Sequence, residues 1–271
     1  MEDKFGISHT KLKTFRRCLQ QYDWKYVDGI YPPSNVGMDR GTAGHKALAV
    51  WHNEHDAGKS TQAAFEWWSG MGYQEDEEWR LLLDALNRYY PWSTEHDEFQ
   101  LVKDEYEFKI EFGTEEHTII FNGFVDGIVE EKGRTWLLEN KFYKRMDNSD
   151  KTMDIQSSLY MLATQLLGME VAGVIYNMVR IGDTKIAITE PAVRQRVIRN
   201  PDGLERIQNE LVYQAQAMLA YQEGGVPYRN STKDCSWDCP FLSPCMSMMD
   251  DGLEPTEMLQ RIATIRRNSD G

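Results

Sequence analysis

The sequence predicts an α/β fold: a central mixed β-sheet flanked by helices, with a helical block ahead of it and a cysteine-bearing tail behind it. Three observations carry this prediction. Helical periodicity runs through residues 42–92. Residues 118–142 read as a β-hairpin turning at Lys132-Gly133. A helix at 155–166 is then followed by an apolar run at 171–181, the pattern of a layered helix-and-sheet domain.

The chain has 271 residues and 31.5 kDa, enough for one large domain or two small ones. We read it as one domain over 1–271, with 42–92 inserted as a helical cover and 101–222 as the core. With 41% hydrophobic and 11% aromatic residues it can build a core, which excludes global disorder. No run approaches the roughly 20 apolar residues of a membrane span. Met-Glu-Asp-Lys at the start does not resemble a signal peptide, so the expectation is a protein of the cytoplasm, the host's if the chain is viral, with no membrane partner. The net charge of −13 argues against a nonspecific DNA coat, which is normally basic. It leaves room for an enzyme that grips DNA in a local basic cleft.

The elements follow in order. Ser8 is a candidate N-cap. Leu12, Phe15, Leu19, Tyr22 and Tyr26 recur at helical spacing, and Lys11, Lys13, Arg16 and Arg17 make the other faces basic. Cys18 sits in this helix. After a loop with Pro32-Pro33, Arg40-Gly41-Thr42-Ala43-Gly44-His45 is expected to open a helix over about 43–57, with His45, His52 and His55 on one stripe. Two more helices end at Pro91. From Leu101 alternation takes over, giving a strand with Glu105 and Glu107 on one face. The hairpin and the helix at 155–166 follow. Gln156 and Tyr160 stand four apart on that helix, side by side. Residues 171–181 read as a buried strand and 184–189 as a further one. A helix from Asp202 to Tyr221 stops at Gly224-Gly225.

The hairpin carries the chemistry. If Glu131 pairs with Arg134, Asp126 falls opposite Glu139, and Lys141 points to the same face two residues on. Facing carboxylates across a ladder are destabilising. A divalent cation, a shared proton or a nearby basic side chain would relieve the repulsion. A strand face of scattered, solvated charges is the plainer reading.

Cys235, Cys239 and Cys245 lie within eleven residues, and Cys18 makes a fourth. Disulfides are disfavoured inside cells. Four thiolates suit zinc or an iron–sulfur cluster, which would clamp the first helix to the tail.

Together these motifs resemble the PD-(D/E)XK nuclease superfamily, in particular its RecB-like exonucleases with a four-cysteine iron–sulfur cluster. CRISPR-associated exonucleases and phage recombination nucleases are among them. The resemblance spans almost the full chain: the Ser8-led helix with Cys18, Gly41-x-x-x-His45, Gly123-x-x-Asp126, Glu139-x-Lys141, Gln156-x-x-x-Tyr160 and the cysteine triplet occur in the family's order. The first gap in the triplet is one residue longer than is common, and Gly-x-x-Asp replaces Pro-Asp.

The resemblance implies a restriction-endonuclease-like core. It also implies a DNA exonuclease that acts on single strands or duplex ends in recombination, repair or spacer processing and leaves a 5′-phosphate. His45, Asp126, Glu139 and the Asn140 carbonyl would ligate Mg²⁺ or Mn²⁺. Lys141 would orient or deprotonate the attacking water, Gln156 and Tyr160 would position DNA, and Glu105 is a candidate for a second metal. Cys18, Cys235, Cys239 and Cys245 would hold a [4Fe-4S] cluster. Candidate partners are a recombinase or a single-strand-binding protein. The competing readings are a DNA-binding accessory protein with little catalysis and a zinc-stabilised interaction protein.

Overall fold

The computed structural model describes residues 4–113, 117–144, 151–182, 189–250 and 255–269. The chain divides into two compact units. One comprises Met1–Ser34, Phe112–Ile120 and Leu211–Gly271, the other Asn35–Glu111 and Phe121–Glu210.

The first unit holds β1 (Lys4–Ile7) and α1 (His9–Arg17), whose N-cap is Ser8 as expected, its hydroxyl accepting from the Lys11 amide at 3.2 Å. The predicted continuous helix is interrupted. Cys18 is extended, and the chain resumes as the short α2 (Leu19–Tyr22) and a π-helical turn (Asp23–Val27). The C-terminal helices α8 (Cys235–Asp238), α9 (Leu242–Asp250) and α10 (Thr256–Ser269) also belong here. Arg17 pairs with Asp238 at 2.7 Å, the Asn230 amide donates to the Arg17 carbonyl at 2.9 Å, and Trp24 packs with Phe241 and Leu259. The first helix is thus tied to the tail by an ion pair, main-chain capture and an apolar cluster.

The expected iron–sulfur tail is not upheld. Cys18, Cys235, Cys239 and Cys245 line one small cavity with Arg17 and Arg229. Among the described residues, however, no group of three or more His, Cys, Asp or Glu side chains is placed to hold a metal ion. Two of the sulfurs make hydrogen bonds to the main chain. Cys18 Sγ faces the Tyr228 carbonyl at 3.9 Å, Cys235 Sγ faces that of Asn230 at 4.0 Å, and the Thr232 amide donates to Cys235 at 3.4 Å. Burial pushes the Cys239 thiol up. The same finding removes the zinc alternative.

The second unit is a mixed sheet with helices. β3 (Thr118–Glu131) and β4 (Arg134–Tyr143) form the predicted hairpin. Lys132 and Gly133 both take positive φ, 53° and 71°, the geometry of a tight two-residue turn. β5 (Val174–Arg180) runs parallel to β4, and β6 (Ala192–Val197) antiparallel to β5. β2 (Phe99–Gly113) pairs with β3. Sequence reading missed β6, whose Arg-rich Val-Arg-Gln-Arg-Val alternates weakly. The strand expected at 184–189 lies almost wholly outside the described residues. α6 (Ile155–Leu166) keeps its predicted bounds, and α7 (Pro201–Gln222) begins within a residue of expectation.

The helical block is α3 (Val36–Glu54), α4 (Ala57–Gly70) and α5 (Glu77–His96). α3 starts seven residues earlier than expected because Asn35 caps it, accepting from the Met38 amide at 2.9 Å. The Gly41–Gly44 segment therefore lies inside a helix, not at its mouth. α5 runs through Pro91. Ala43, Ala47, Leu48 and Trp51 of α3 join Trp68, Leu82, Leu86 and Tyr89 in one core with Val179 and Ala192 of the sheet. Gly44 sets how closely α3 meets β4, for a Cβ there would collide with the ring of Phe142.

Gly44→Ala should therefore lower stability by about 1–3 kcal/mol through overpacking. Gly44→Ala/Phe142→Leu should recover part of that loss, as read from thermal melts of the two variants against the parent.

Candidate active site

The hairpin register is the predicted one: Glu131 faces Arg134, and the ladder continues to Gly127 opposite Leu138. One residue further the partnership changes. The Asp126 carboxylate, rather than a main-chain carbonyl, takes the Asn140 N–H, with Oδ2 at 2.6 Å. A carboxylate accepting a backbone N–H is a strong, charge-assisted bond. It fixes Asp126 beside Glu139.

Gly44 lets α3 approach β4, and the next residue, His45, reaches Asp126, with Nδ1 3.0 Å from Oδ1. Its ring stands edge-on to Phe142, centroids 5.9 Å apart.

Glu139 points away from solvent, its side chain only 6% exposed. Lys141 Nζ donates to Glu139 Oε1 at 2.6 Å and to Gln156 Oε1 at 3.2 Å. Gln156 Nε2 donates to the same Glu139 oxygen at 2.9 Å and to the Tyr160 hydroxyl at 2.9 Å. Asp154 caps α6 by accepting the Gln156 amide at 3.0 Å, so the helix start holds Gln156 in reach. Phe108 packs against Tyr160 with centroids 5.2 Å apart, and a Cβ on Gly123 would strike the Phe108 ring at 2.6 Å. The glycine of Gly123-x-x-Asp126 therefore makes room for Phe108.

The electrostatics follow from burial and crowding. Burial, then the charge of Asp126, pushes the Glu139 carboxyl up to about 7 despite Lys141 and His45. Burial opposes charge on Lys141 and on His45. For Lys141 the Glu139 carboxylate outweighs it; for His45 the hydrogen bond and charge of Asp126 do, so both bases sit above their ordinary values. Burial pushes Tyr160 up to about 12, keeping its hydroxyl neutral.

A family comparison decides the class to which the chain belongs. The model of the PD-(D/E)XK nuclease superfamily matches residues 6–246. The chain belongs to the PD-(D/E)XK nuclease superfamily. Among solved structures, a putative exonuclease from Eubacterium rectale is similar with a TM-score of 0.52 and 12% identity, over 86% of this chain and 86% of that one. SSO0001 is similar at 13% identity and a TM-score of 0.44, over 90% of this chain and 88% of that one. At such identities the likeness to the Eubacterium rectale structure is one of fold alone. Comparison with curated proteins gives no match.

Within the superfamily fold, the structure brings together His45, Asp126, Glu139, Asn140, Lys141, Gln156 and Tyr160. It does not bring Glu105 in: that side chain is largely exposed, and Lys46 engages it at 2.6 Å. Nor do His45, Asp126 and Glu139 form a set placed to hold a metal ion. Asp126 is occupied by His45 and the Asn140 amide, and Glu139 by Lys141 and Gln156. Sequence reading overlooked Asn177, which is fully buried behind Asn140. An asparagine inside the apolar run Val174–Arg180 was the available signal.

A carboxyl lifted from 4.5 to about 7 favours the native state below its unfolded pKa and loses that contribution as pH rises through 7. Glu139→Gln mimics the protonated form. It should gain stability over the parent between pH 5 and pH 8, by up to about 3 kcal/mol, as denaturant melts across that range will read.

Proposed function

We propose that the chain is a deoxyribonuclease of RecB-like type that hydrolyses phosphodiester bonds at DNA ends, single-stranded or duplex, and leaves 5′-phosphates. The observation that carries this reading is the closed set of Asp126, Glu139 and Lys141 at the end of the hairpin, with His45 delivered to it by α3. In hydrolysis a water oxygen bonds to phosphorus and the bond to the 3′-oxygen breaks. The attacking water loses a proton, negative charge builds on the phosphoryl oxygens, and the departing 3′-oxygen takes a proton from solvent.

Glu139, ionising near neutrality, suits acceptance of the water's proton at working pH. Lys141 stays an ammonium, so of the two roles expected for it, orienting and neutralising charge fit and deprotonating does not. Gln156 and Tyr160 offer neutral hydrogen-bonding groups beside the carboxylates for placing the strand. Exonuclease rather than endonuclease action follows from the resemblance of the motifs; of the helices over 42–92, α3 delivers His45 to the site. Recombination or repair is the setting, with a recombinase or single-strand-binding protein as candidate partner.

Divalent-cation dependence enters only at the level of the superfamily. Asp126 and Glu139 are engaged by the protein's own donors. The assay carries Mn²⁺, Mg²⁺ and EDTA arms.

End-labelled single- and double-stranded DNA, with 5′ and 3′ labels run separately, tests the proposal. The expected result is progressive loss from an end, products bearing 5′-phosphate, and resistance of closed circular DNA. Asp126→Ala, Glu139→Ala and Lys141→Ala should each slow cleavage by at least about 100-fold. Variants that cut as fast as the parent would place the activity elsewhere. DNA bound but left intact by the parent would favour the accessory-protein reading.

A further inference from the structure

Behind the proposed site lies a chain of buried polar side chains with no part in the reaction derived above. Alternation along β4 turns Glu139 and Lys141 to one face and Asn140 to the other. There Asn140 faces Asn177 of the parallel neighbour β5, and Asn177 faces Arg194 of β6. The three form a row across the sheet. Asn177 Nδ2 donates to Asn140 Oδ1 at 2.8 Å and to the Tyr89 hydroxyl at 2.9 Å, and its Oδ1 accepts from Arg194 Nε at 3.3 Å. Both N–H donors and one oxygen lone pair of that amide are bonded to side chains, and the residue has no exposed surface.

The row has a fixed far end. Arg194 donates to the Asp97 carboxylate and to the His96 carbonyl, the latter at 3.0 Å. Ser93 donates to Asp97 at 2.6 Å and receives the Trp51 indole N–H at 2.9 Å. Arg194 also lies over the rings of Trp92 and Phe99. A buried ion pair of this kind adds little stability over apolar packing, so its energetic contribution alone does not account for it. What it holds is the near end. Asn140 is the residue whose main-chain N–H grips Asp126 at 2.6 Å, on the strand that carries Glu139 and Lys141.

We propose that Asn177 is a positioning residue: anchored by Tyr89, Arg194 and Asp97, it fixes the Asn140 side chain, and through it the main-chain N–H that orients the Asp126 carboxylate. The effect on DNA cleavage rests on the nuclease reading; the effect on the Asn140 amide does not.

The test follows the Asn140 amide in ¹⁵N–¹H spectra of the full chain. Asn177→Asp keeps size and its acceptors toward Arg194 but loses both donated bonds; Asn177→Ala removes the group. Ile175→Val, on the same strand and face, trims the core without touching a polar partner. In both Asn177 variants the Asn140 amide proton should move upfield and exchange with solvent about tenfold faster, while Ile175→Val leaves it in place. On DNA, Asn177→Asp should lower kcat about tenfold at unchanged KM. Asn140→Ala/Asn177→Ala should be no slower than Asn140→Ala alone, because the two act in series. An unmoved Asn140 amide in folded Asn177→Asp, or additive losses in the double variant, would overturn the proposal. If the parent cuts no DNA, the nuclease reading fails and the amide resonance still decides the positioning role.

Discussion

The site depends on a carboxylate that takes a main-chain N–H at the point where the hairpin ladder stops. Two ionised carboxylates on adjoining strands repel, and most of the local geometry answers that repulsion. Asp126 spreads its charge over the Asn140 amide and His45. Glu139, with far less access to water, draws Lys141 and Gln156 to one of its oxygens and still ionises reluctantly. Basic neighbours answer the repulsion directly, and burial lifts the Glu139 carboxyl toward neutrality. This cluster of buried charge is unfavourable for packing and is held by its hydrogen bonds.

Much of this was legible in the residues, because the relevant elements are local. A strand pair closed by Lys-Gly has a register fixed by its turn, so the pairing from Glu131–Arg134 to Gly127–Leu138 followed from counting. The span of α6 and the adjacency of Gln156 and Tyr160 followed from helical spacing and a glycine stop. What counting could not supply is the last step, in which the Asp126 side chain replaces a ladder carbonyl. The four-apart pair also proved to be a hydrogen-bonded couple joined to Glu139, which depends on how α6 docks and not on its own periodicity.

Sequence proximity is a weaker guide than spatial arrangement. The Gly41–Gly44 segment has the composition of a turn, yet Asn35 caps the helix upstream and Gly44 is small because Phe142 lies against it. Glu105 takes a positive φ of 37°, which breaks the regular strand alternation, and Lys46 pairs with its carboxylate. Four cysteines do converge on one cavity. Convergence of side chains is a weaker condition than a ligand set, which needs deprotonated sulfurs aimed at one point, and here two of the sulfurs face main-chain carbonyls.

β4 explains why site and scaffold are hard to separate. Its outward residues alternate between two environments: Glu139 and Lys141 meet α6, while Asn140 and Phe142 meet Asn177, α3 and α5. The strand is paired on both edges, so it cannot shift to relieve strain on one face without disturbing the other. Gly44 and Asn177 then act from the same side. The first brings His45 close by having no side chain, and the second holds Asn140 by having one whose amide bonds Asn140, Tyr89 and Arg194. The geometry around Asp126 is therefore set from the rear of the sheet, by residues a substrate never meets.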